Sequence, residues 1–280
     1  MQVIKSKREV TEIIENYKKN GEKIGFVPTM GALHDGHLAL VSKCRRENDI
    51  VVVSIFVNPT QFNDKEDLKK YPRNLDKDIE LLKEAKCDIV FCPEENEMYP
   101  EPDNRVFELG GLDKYMEGAY RPGHFNGVVQ IVTKLFEAVK PNTAYFGEKD
   151  FQQLAIIKYI VKKNNIPVEI HPCPIIREKD GLAMSSRNLL LGENERKDSP
   201  IIFKTLSRAV SLSRNFSVDK LKEWVVDEIN KSQYLKVEYF EIVDDITLQP
   251  LSSWKSTNGI VGCIAVKAGG IRLIDNIRFK

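Results

Sequence analysis

Short apolar runs alternate with amphipathic stretches over the first two-thirds of the chain. Continuous apolar runs at residues 24–27, 50–57, 88–92, 143–146 and 168–176 predict buried strands. Between them, apolar residues at three- and four-residue spacing predict helices over 37–47, 75–85, 125–139 and 151–163. Ser6-Lys7-Arg8-Glu9 reads as a capping box ahead of Val10, Ile13, Ile14 and Tyr17, with Gly21 just past the end of that helix. Alternation of this kind predicts an α/β fold, a Rossmann-like parallel sheet with helices on both faces. The stripe Phe125, Val128, Val129, Val132, Leu135, Phe136 and Val139 belongs by default to the core, and its first turn is also placed to wall a pocket.

Past residue 177 the pattern changes. Helical periodicity at 193–213 and 218–231 is followed by alternating segments at 237–243, 260–267 and 271–279, which suit a small α+β domain with an antiparallel sheet. The expected organisation is therefore a parallel-sheet domain over 1–177 and a C-terminal α+β domain over 178–280, with a ligand site at the junction. The charged stretch 63–70 reads as a solvated loop that is also suited to gating a pocket. Strand order is not readable from periodicity.

Composition narrows the class. A formal net charge of +1 over 280 residues argues against a dedicated polyanion-binding surface, so no nucleic-acid partner is expected. The five cysteines, Cys44, Cys87, Cys92, Cys173 and Cys263, have neither C-x-x-C spacing nor an even count, which suits a reducing compartment and buried thiols. The first residues lack a signal-peptide apolar stretch, and the run at 50–57 is far too short to span a bilayer. A cytoplasmic protein without a membrane partner is the expectation.

Candidate chemistry concentrates where strands turn into helices. The segment Pro28-Thr29-Met30-Gly31-Ala32-Leu33-His34-Asp35-Gly36-His37 joins the run at 24–27 to the helix at 37–47. Such a junction offers unpaired N–H groups and the positive end of a helix dipole, the usual site for a phosphate. Two imidazoles three residues apart share one side of the first turn, and Gly36 lets a ligand approach the backbone. The plainer alternative makes His34 and His37 a cap and a surface residue, with Asp35 capping the helix. Phe146-Gly147-Glu148-Lys149-Asp150-Phe151-Gln152-Gln153 repeats the strand-to-helix geometry with a lysine suited to phosphate. Met184-Ser185-Ser186-Arg187-Asn188, after the loop Arg177-Glu178-Lys179-Asp180-Gly181, supplies two hydroxyls and a guanidinium, although alone it reads as a helix cap. In a parallel sheet ligands bind beyond the carboxyl ends of the strands, which is where His34, His37, Asn58, Gln61 and Lys149 fall.

On these blocks, together with Val57-Asn58-Pro59-Thr60-Gln61-Phe62, Tyr71-Pro72-Arg73 and Arg121-Pro122-Gly123-His124-Phe125-Asn126-Gly127-Val128, the chain resembles the pantothenate synthetase family. H-x-G-H and Met-Ser-Ser-Arg are shared with the wider nucleotidyltransferase superfamily, whereas Asn-Pro-Thr-Gln-Phe, Arg-Pro-Gly-His-Phe and Gly-Glu-Lys-Asp-x-Gln-Gln look specific to pantoate activation. The resemblance implies ATP-dependent condensation of pantoate with β-alanine to pantothenate, AMP and pyrophosphate through an enzyme-bound pantoyl adenylate. It implies an ATP site of Met30, Gly31, Ala32, Leu33, His34, Asp35, Gly36, His37, Gly147, Glu148, Lys149 and Asp150, with Ile176 near the base and Met184, Ser185, Ser186 and Arg187 over the phosphates. His37, His34 and Lys149 are the implied catalytic residues, with His37 as proton donor. Gln61 and Gln153 are the implied holders of pantoate, and Gln61 also faces β-alanine.

A homodimer is implied by the same resemblance, and so is Mg2+ carried with the ATP phosphates. No protein metal ligand is named, because the acidic cluster expected after Tyr-Pro-Arg is here Asp76-Lys77-Asp78, interrupted by a lysine. Arg121 and His124 belong to a family motif whose turn suits gating or a dimer contact. Two rival readings stay open: a transferase that passes AMP to a phosphorylated small molecule, and a non-catalytic ATP- or RNA-binding module. Free AMP as product separates the first, and the near-neutral charge weighs against the second.

Overall fold

A computed structural model describes all 280 residues, in two compact units. The first comprises residues 1–109, 121–148 and 156–174; the second comprises 110–120, 149–155 and 175–280. In chain order the elements begin with β1 (Gln2–Ile4), α1 (Lys7–Lys19), β2 (Ile24–Thr29), α2 (Asp35–Glu47) and β3 (Ile50–Ile55). Next come α3 (Lys65–Lys70), α4 (Leu75–Glu84), β4 (Ile89–Phe91), α5 (Glu95–Met98), α6 (Met116–Tyr120) and α7 (His124–Val139). They are followed by β5 (Thr143–Gly147), α8 (Phe151–Lys163) and β6 (Glu169–Cys173). The remainder is α9 (Glu193–Asp198), α10 (Ile201–Leu212), α11 (Val218–Asn230), β7 (Leu235–Asp244), β8 (Ile260–Ala268) and β9 (Ile271–Arg278).

The first unit is built on a wholly parallel sheet in the order β1-β4-β3-β2-β5-β6. Successive residues of β2 point to opposite faces. Val27 joins Leu40, Val41 and Cys44 of α2 and Leu82 of α4, while Phe26 meets Phe136 of α7 edge-on at 6.3 Å between ring centroids. Each such fully buried side chain contributes roughly 1.5–3 kcal/mol over exposure. The stripe on α7 is core throughout, from Phe125 to Val139. From β2 the chain proceeds through β3 to β4 in one direction, and β5 and β6 lie in the other. That reversal opens a crevice at the carboxyl ends of β2 and β5.

The second unit has an antiparallel sheet β7-β8-β9, bulged between Val237 and Tyr239, with α10 and α11 packed on it. Leu206, Leu221, Val225, Ile242 and Ile264 are fully buried between them. The mixed α/β fold expected from the sequence, a parallel sheet followed by a small antiparallel one, is thus the fold observed.

Several details differ. The expected single helix over 193–213 breaks into α9 and α10, because Pro200 cannot donate into the preceding turn. The stretch 63–70, expected as a loop, contains α3, capped by Asp64, whose carboxylate accepts from Glu66 N at 2.8 Å; Glu66 and Asp67 in its first turn and Lys69 and Lys70 in its last suit the helix dipole. The short edge strand β1 had no pattern to mark it. All five cysteines are buried and free, and burial pushes the Cys173 thiol up to about 11. No helix is long and apolar enough to cross a membrane.

Candidate active site

In the first unit the turn between β2 and α2 is a strained piece of backbone with a specific support. Gly31 and Ala32 both adopt left-handed conformations, with φ of 79° and 49°. Two consecutive residues there turn their N–H groups to one side, and a carboxylate receives them: Ala32 N and Leu33 N donate to Oδ2 and Oδ1 of Asp78 at 2.8 and 2.7 Å. Asp78 sits one turn into α4 and is only 2 % exposed. Burial pushes its carboxyl above the ordinary aspartate value, and the two N–H bonds pull the other way. A side chain at Gly31 would press on Asp78 Oδ2 at 2.9 Å and Ile55 at 3.0 Å. Asp78 was not a sequence candidate for this role, since an acid in a first helical turn ordinarily just complements the dipole.

The two histidines close the start of α2 reciprocally. His34 Nδ1 accepts from Gly36 N at 3.1 Å, and His37 Nδ1 accepts from His34 N at 3.4 Å, with the rings 4.1 Å apart. The cap is therefore His34 and not Asp35. An imidazole that accepts at Nδ1 carries its proton, when neutral, on Nε2. Capping thus sets both rings as Nε2–H donors beside the positive end of a helix.

Gln61 lies nearby in the same unit, where its Nε2 donates to Met30 Sδ at 3.2 Å. Asn58, buried, donates to Gln61 Oε1 at 3.2 Å and to Gly127 O at 3.1 Å, and accepts from Tyr99 OH at 2.8 Å. Pro59 starts the 3-10 turn that carries Gln61, and Gly127 lets α7 approach it, because a Cβ there would lie 2.5 Å from Thr60 O. Gly147 ends β5, with Glu148 immediately after it.

The second unit gathers the other candidates. Lys149, half-buried, lines one cleft with Ala183, Ser185, Asn188 and Asp275, and its carbonyl accepts from Asn276 Nδ2 at 3.0 Å. Ile176 stands opposite Met184, whose N–H donates to it at 3.0 Å in a hairpin clasped by Arg177 and Ala183. Arg177 makes a bidentate pair with buried Asp275, at 2.7 and 2.9 Å, and stacks on Phe203. The Met-Ser-Ser-Arg segment closes into a 3-10 turn in which Ser185 Oγ accepts from Arg187 N at 3.2 Å; Ser186 is buried and Arg187 half-buried. Asp150 and Gln153 flank the start of α8, both half-buried. Their neighbour Gln152 is instead structural: its amide donates to Leu112 O and Tyr115 O at 2.7 and 2.9 Å.

Comparison with known proteins places this geometry. The pantoate-beta-alanine ligase family model matches residues 2–278. The chain is 52 % identical over 280 residues to a pantothenate synthetase of Bacteroides fragilis, covering 100 % of this chain and 99 % of that one. A pantothenate synthetase of Porphyromonas gingivalis is 49 % identical with both chains wholly covered. Among crystal structures, pantothenate synthetase from Thermus thermophilus superposes with a TM-score of 0.93 at 42 % identity, covering 100 % of this chain and 99 % of that one. The ligase from Francisella tularensis, complexed with beta-gamma ATP and β-alanine, gives 0.85 at 38 %, covering 100 % and 98 %. Matched by that family model over residues 2–278 and about half identical to such synthetases over its whole length, the chain belongs to the pantoate–β-alanine ligase family.

Proposed function

We propose that this protein condenses pantoate with β-alanine at the expense of ATP, giving pantothenate, AMP and pyrophosphate through an enzyme-bound pantoyl adenylate. The observation that carries the reading is the Francisella relative, similar over the whole chain and holding an ATP compound and β-alanine. In the first step a pantoate carboxylate oxygen attacks the α-phosphorus, a P–O bond to the β-phosphate breaks, and pyrophosphate leaves. In the second, the neutral amine of β-alanine attacks the acyl carbon, AMP departs with the C–O bond pair, and the amine loses a proton.

Groups suited to this chemistry occur within each unit. Met30 through His37, with Gly147 and Glu148, form the proposed ATP-binding set of the first unit. The Nε2–H donors of His34 and His37 offer fixed positive dipoles for charge developing on the phosphate, with His37 as proton donor. Lys149, Asp150, Ile176 and Met184, Ser185, Ser186 and Arg187 form the set of the second. Lys149 supplies a point charge for the phosphates, and residues 178–280 serve as a lid domain. Gln61 and Gln153 hold pantoate and Gln61 also faces β-alanine, since an amide both donates to a carboxylate and accepts from a hydroxyl. The residues here do not fit a protein-borne metal centre: no group of three or more His, Cys, Asp or Glu side chains is arranged for one, and both oxygens of Asp78 are already bonded to backbone N–H groups. Mg2+ is proposed to travel with the ATP phosphates, whose oxygens suit a hard cation. Homodimeric assembly and a cytoplasmic setting complete the proposal.

The test is the order of chemistry. Labelled pyrophosphate should exchange into ATP when pantoate and Mg2+ are supplied without β-alanine, and net AMP release should require the amine. Exchange without pantoate, ADP as product, or AMP retained in the final product refutes the reaction.

A further inference from the structure

The Arg-Pro-Gly-His segment ahead of α7 has no assigned role, yet its geometry is specific. Residues 121–124 form a type II turn: Gly123 has φ 80° and ψ −12°, and His124 N donates to Arg121 O at 3.0 Å. Nothing crowds a Cβ at Gly123, so it is the positive φ that selects glycine, while Pro122 fixes the position before it. The turn sets the side chains of Arg121 and His124 together, and both point at one atom. His124 Nδ1 lies 2.7 Å from the backbone oxygen of Gln61, Arg121 Nη2 lies 3.3 Å from the same oxygen, and Arg121 Nη1 lies 3.1 Å from His124 Nε2.

Donor and acceptor chemistry then leaves one arrangement. A carbonyl only accepts and a guanidinium only donates, so His124 carries its proton on Nδ1 and presents a lone pair at Nε2. This is the opposite tautomer to that set for His34 and His37. His124 is 6 % exposed, and its ring rests against Phe125 at 4.9 Å, so it is held in that orientation. Gln61 is consequently gripped at both ends: Asn58 and Met30 hold its amide, and the Arg121–His124 pair holds its backbone.

We infer that Arg121 and His124 are positioning residues that fix the backbone of Gln61 so that its amide meets pantoate and β-alanine already oriented. The inference rests on the reading of Gln61 as a substrate-facing residue. A pre-oriented amide loses little freedom on binding, and misplacement of a substrate-holding group by about an ångström is costly to rate. The pair should therefore act on the two carbon substrates and not on ATP.

Two measurements on the full-length protein test this. In 15N-resolved NMR of the histidine rings near neutral pH, His124 should show the Nδ1–H tautomer and His34 and His37 the Nε2–H tautomer. In steady-state assays His124→Gln and Arg121→Met should raise KM for pantoate and β-alanine about tenfold or more, with direct ATP binding within a few-fold of the parent. His124→Asn should recover most of that loss, because its amide nitrogen sits as many bonds from the backbone as Nδ1 does. An Nε2–H tautomer at His124, no recovery in His124→Asn, or an equal loss for all three substrates would overturn the inference. Gln61→Ala with unchanged KM for pantoate and β-alanine would overturn the reading of Gln61 itself, and the pair's function with it, whatever the tautomer.

Discussion

Asparagine at position 78 removes one charge and one acceptor while leaving shape almost unchanged, so it isolates the support beneath the histidine-bearing turn. In the native protein each carboxylate oxygen receives one N–H from the Gly31-Ala32-Leu33 turn, at 2.8 and 2.7 Å, with the side chain shut away from water. Asparagine keeps one acceptor and turns its NH2 against the other N–H. One charge-assisted bond is then weakened to a neutral one, and one buried donor is left without a partner. At roughly 1–3 kcal/mol for an unsatisfied buried group, plus the loss on the surviving bond, the cost is about 2–4 kcal/mol. For a chain of 280 residues that is a drop in Tm of about 3–7 °C. Asp78 thus supports the consecutive left-handed conformations at Gly31 and Ala32, and His34 follows them directly. The loss should therefore appear in nucleotide binding too, as at least a tenfold weaker Kd for ATP by calorimetry. Asp78→Ala, which abandons both donors, should cost more on both readouts. Asp78→Asn melting within about a degree of the parent and binding ATP equally well would show that the turn stands without its clamp.

Two further outcomes are expected. Replacing Lys149 or His37 by alanine should slow adenylate formation roughly 10²–10³-fold, about 3–4 kcal/mol of transition-state stabilisation; single-turnover pyrophosphate release from folded variants measures it, and near-native rates would remove these residues from the chemistry. In the first unit, the guanidinium of Arg105 holds the Asp103 carboxyl far below its ordinary value, with Lys134 assisting. A depressed folded-state pKa gives stability that is present above the unfolded value, about 3.9, and is lost as pH falls through the folded one. Denaturant melts should accordingly show Asp103→Asn destabilised at neutral pH, with the gap to the parent narrowing in acid; a gap independent of pH would sink the assignment.

The parts of the fold legible in the sequence were those in which a local period reports a local environment. β2, β3 and β5 read as apolar runs because both faces of a parallel sheet are covered, and α7 read as a stripe because one face meets that sheet. Where environment is decided elsewhere in the chain, the pattern carried no signal. The three residues of β1 form a strand only because β4 offers them an edge. The charges of residues 63–70 suit water whether or not α3 forms, so polarity alone could not separate loop from helix. The 193–213 pattern ran on through Pro200, where apolar spacing persists but a backbone donor is missing.

The site divides along the same line. His34, His37 and Lys149 could be proposed because their chemistry and their place at a strand-to-helix junction lie within a few residues of one another. Asp78 and His124 act on backbone atoms 45 and 63 residues away, and neither target has a side chain that announces the need. A carboxylate on backbone N–H groups and an imidazole on a backbone oxygen are invisible to motif spacing, since any residue at the receiving position would present the same atom. What the receiving position does show is its own constraint: Gly31 next to Ala32, and Pro59 ahead of Gln61. The strained turn is thus matched by a buried polar partner from a distant part of the chain, and the interrupted acidic cluster Asp76-Lys77-Asp78 supplies it through its last member. Lys77, on the neighbouring face of α4, leaves the clamp intact, which is why the interruption does not cost the turn its support.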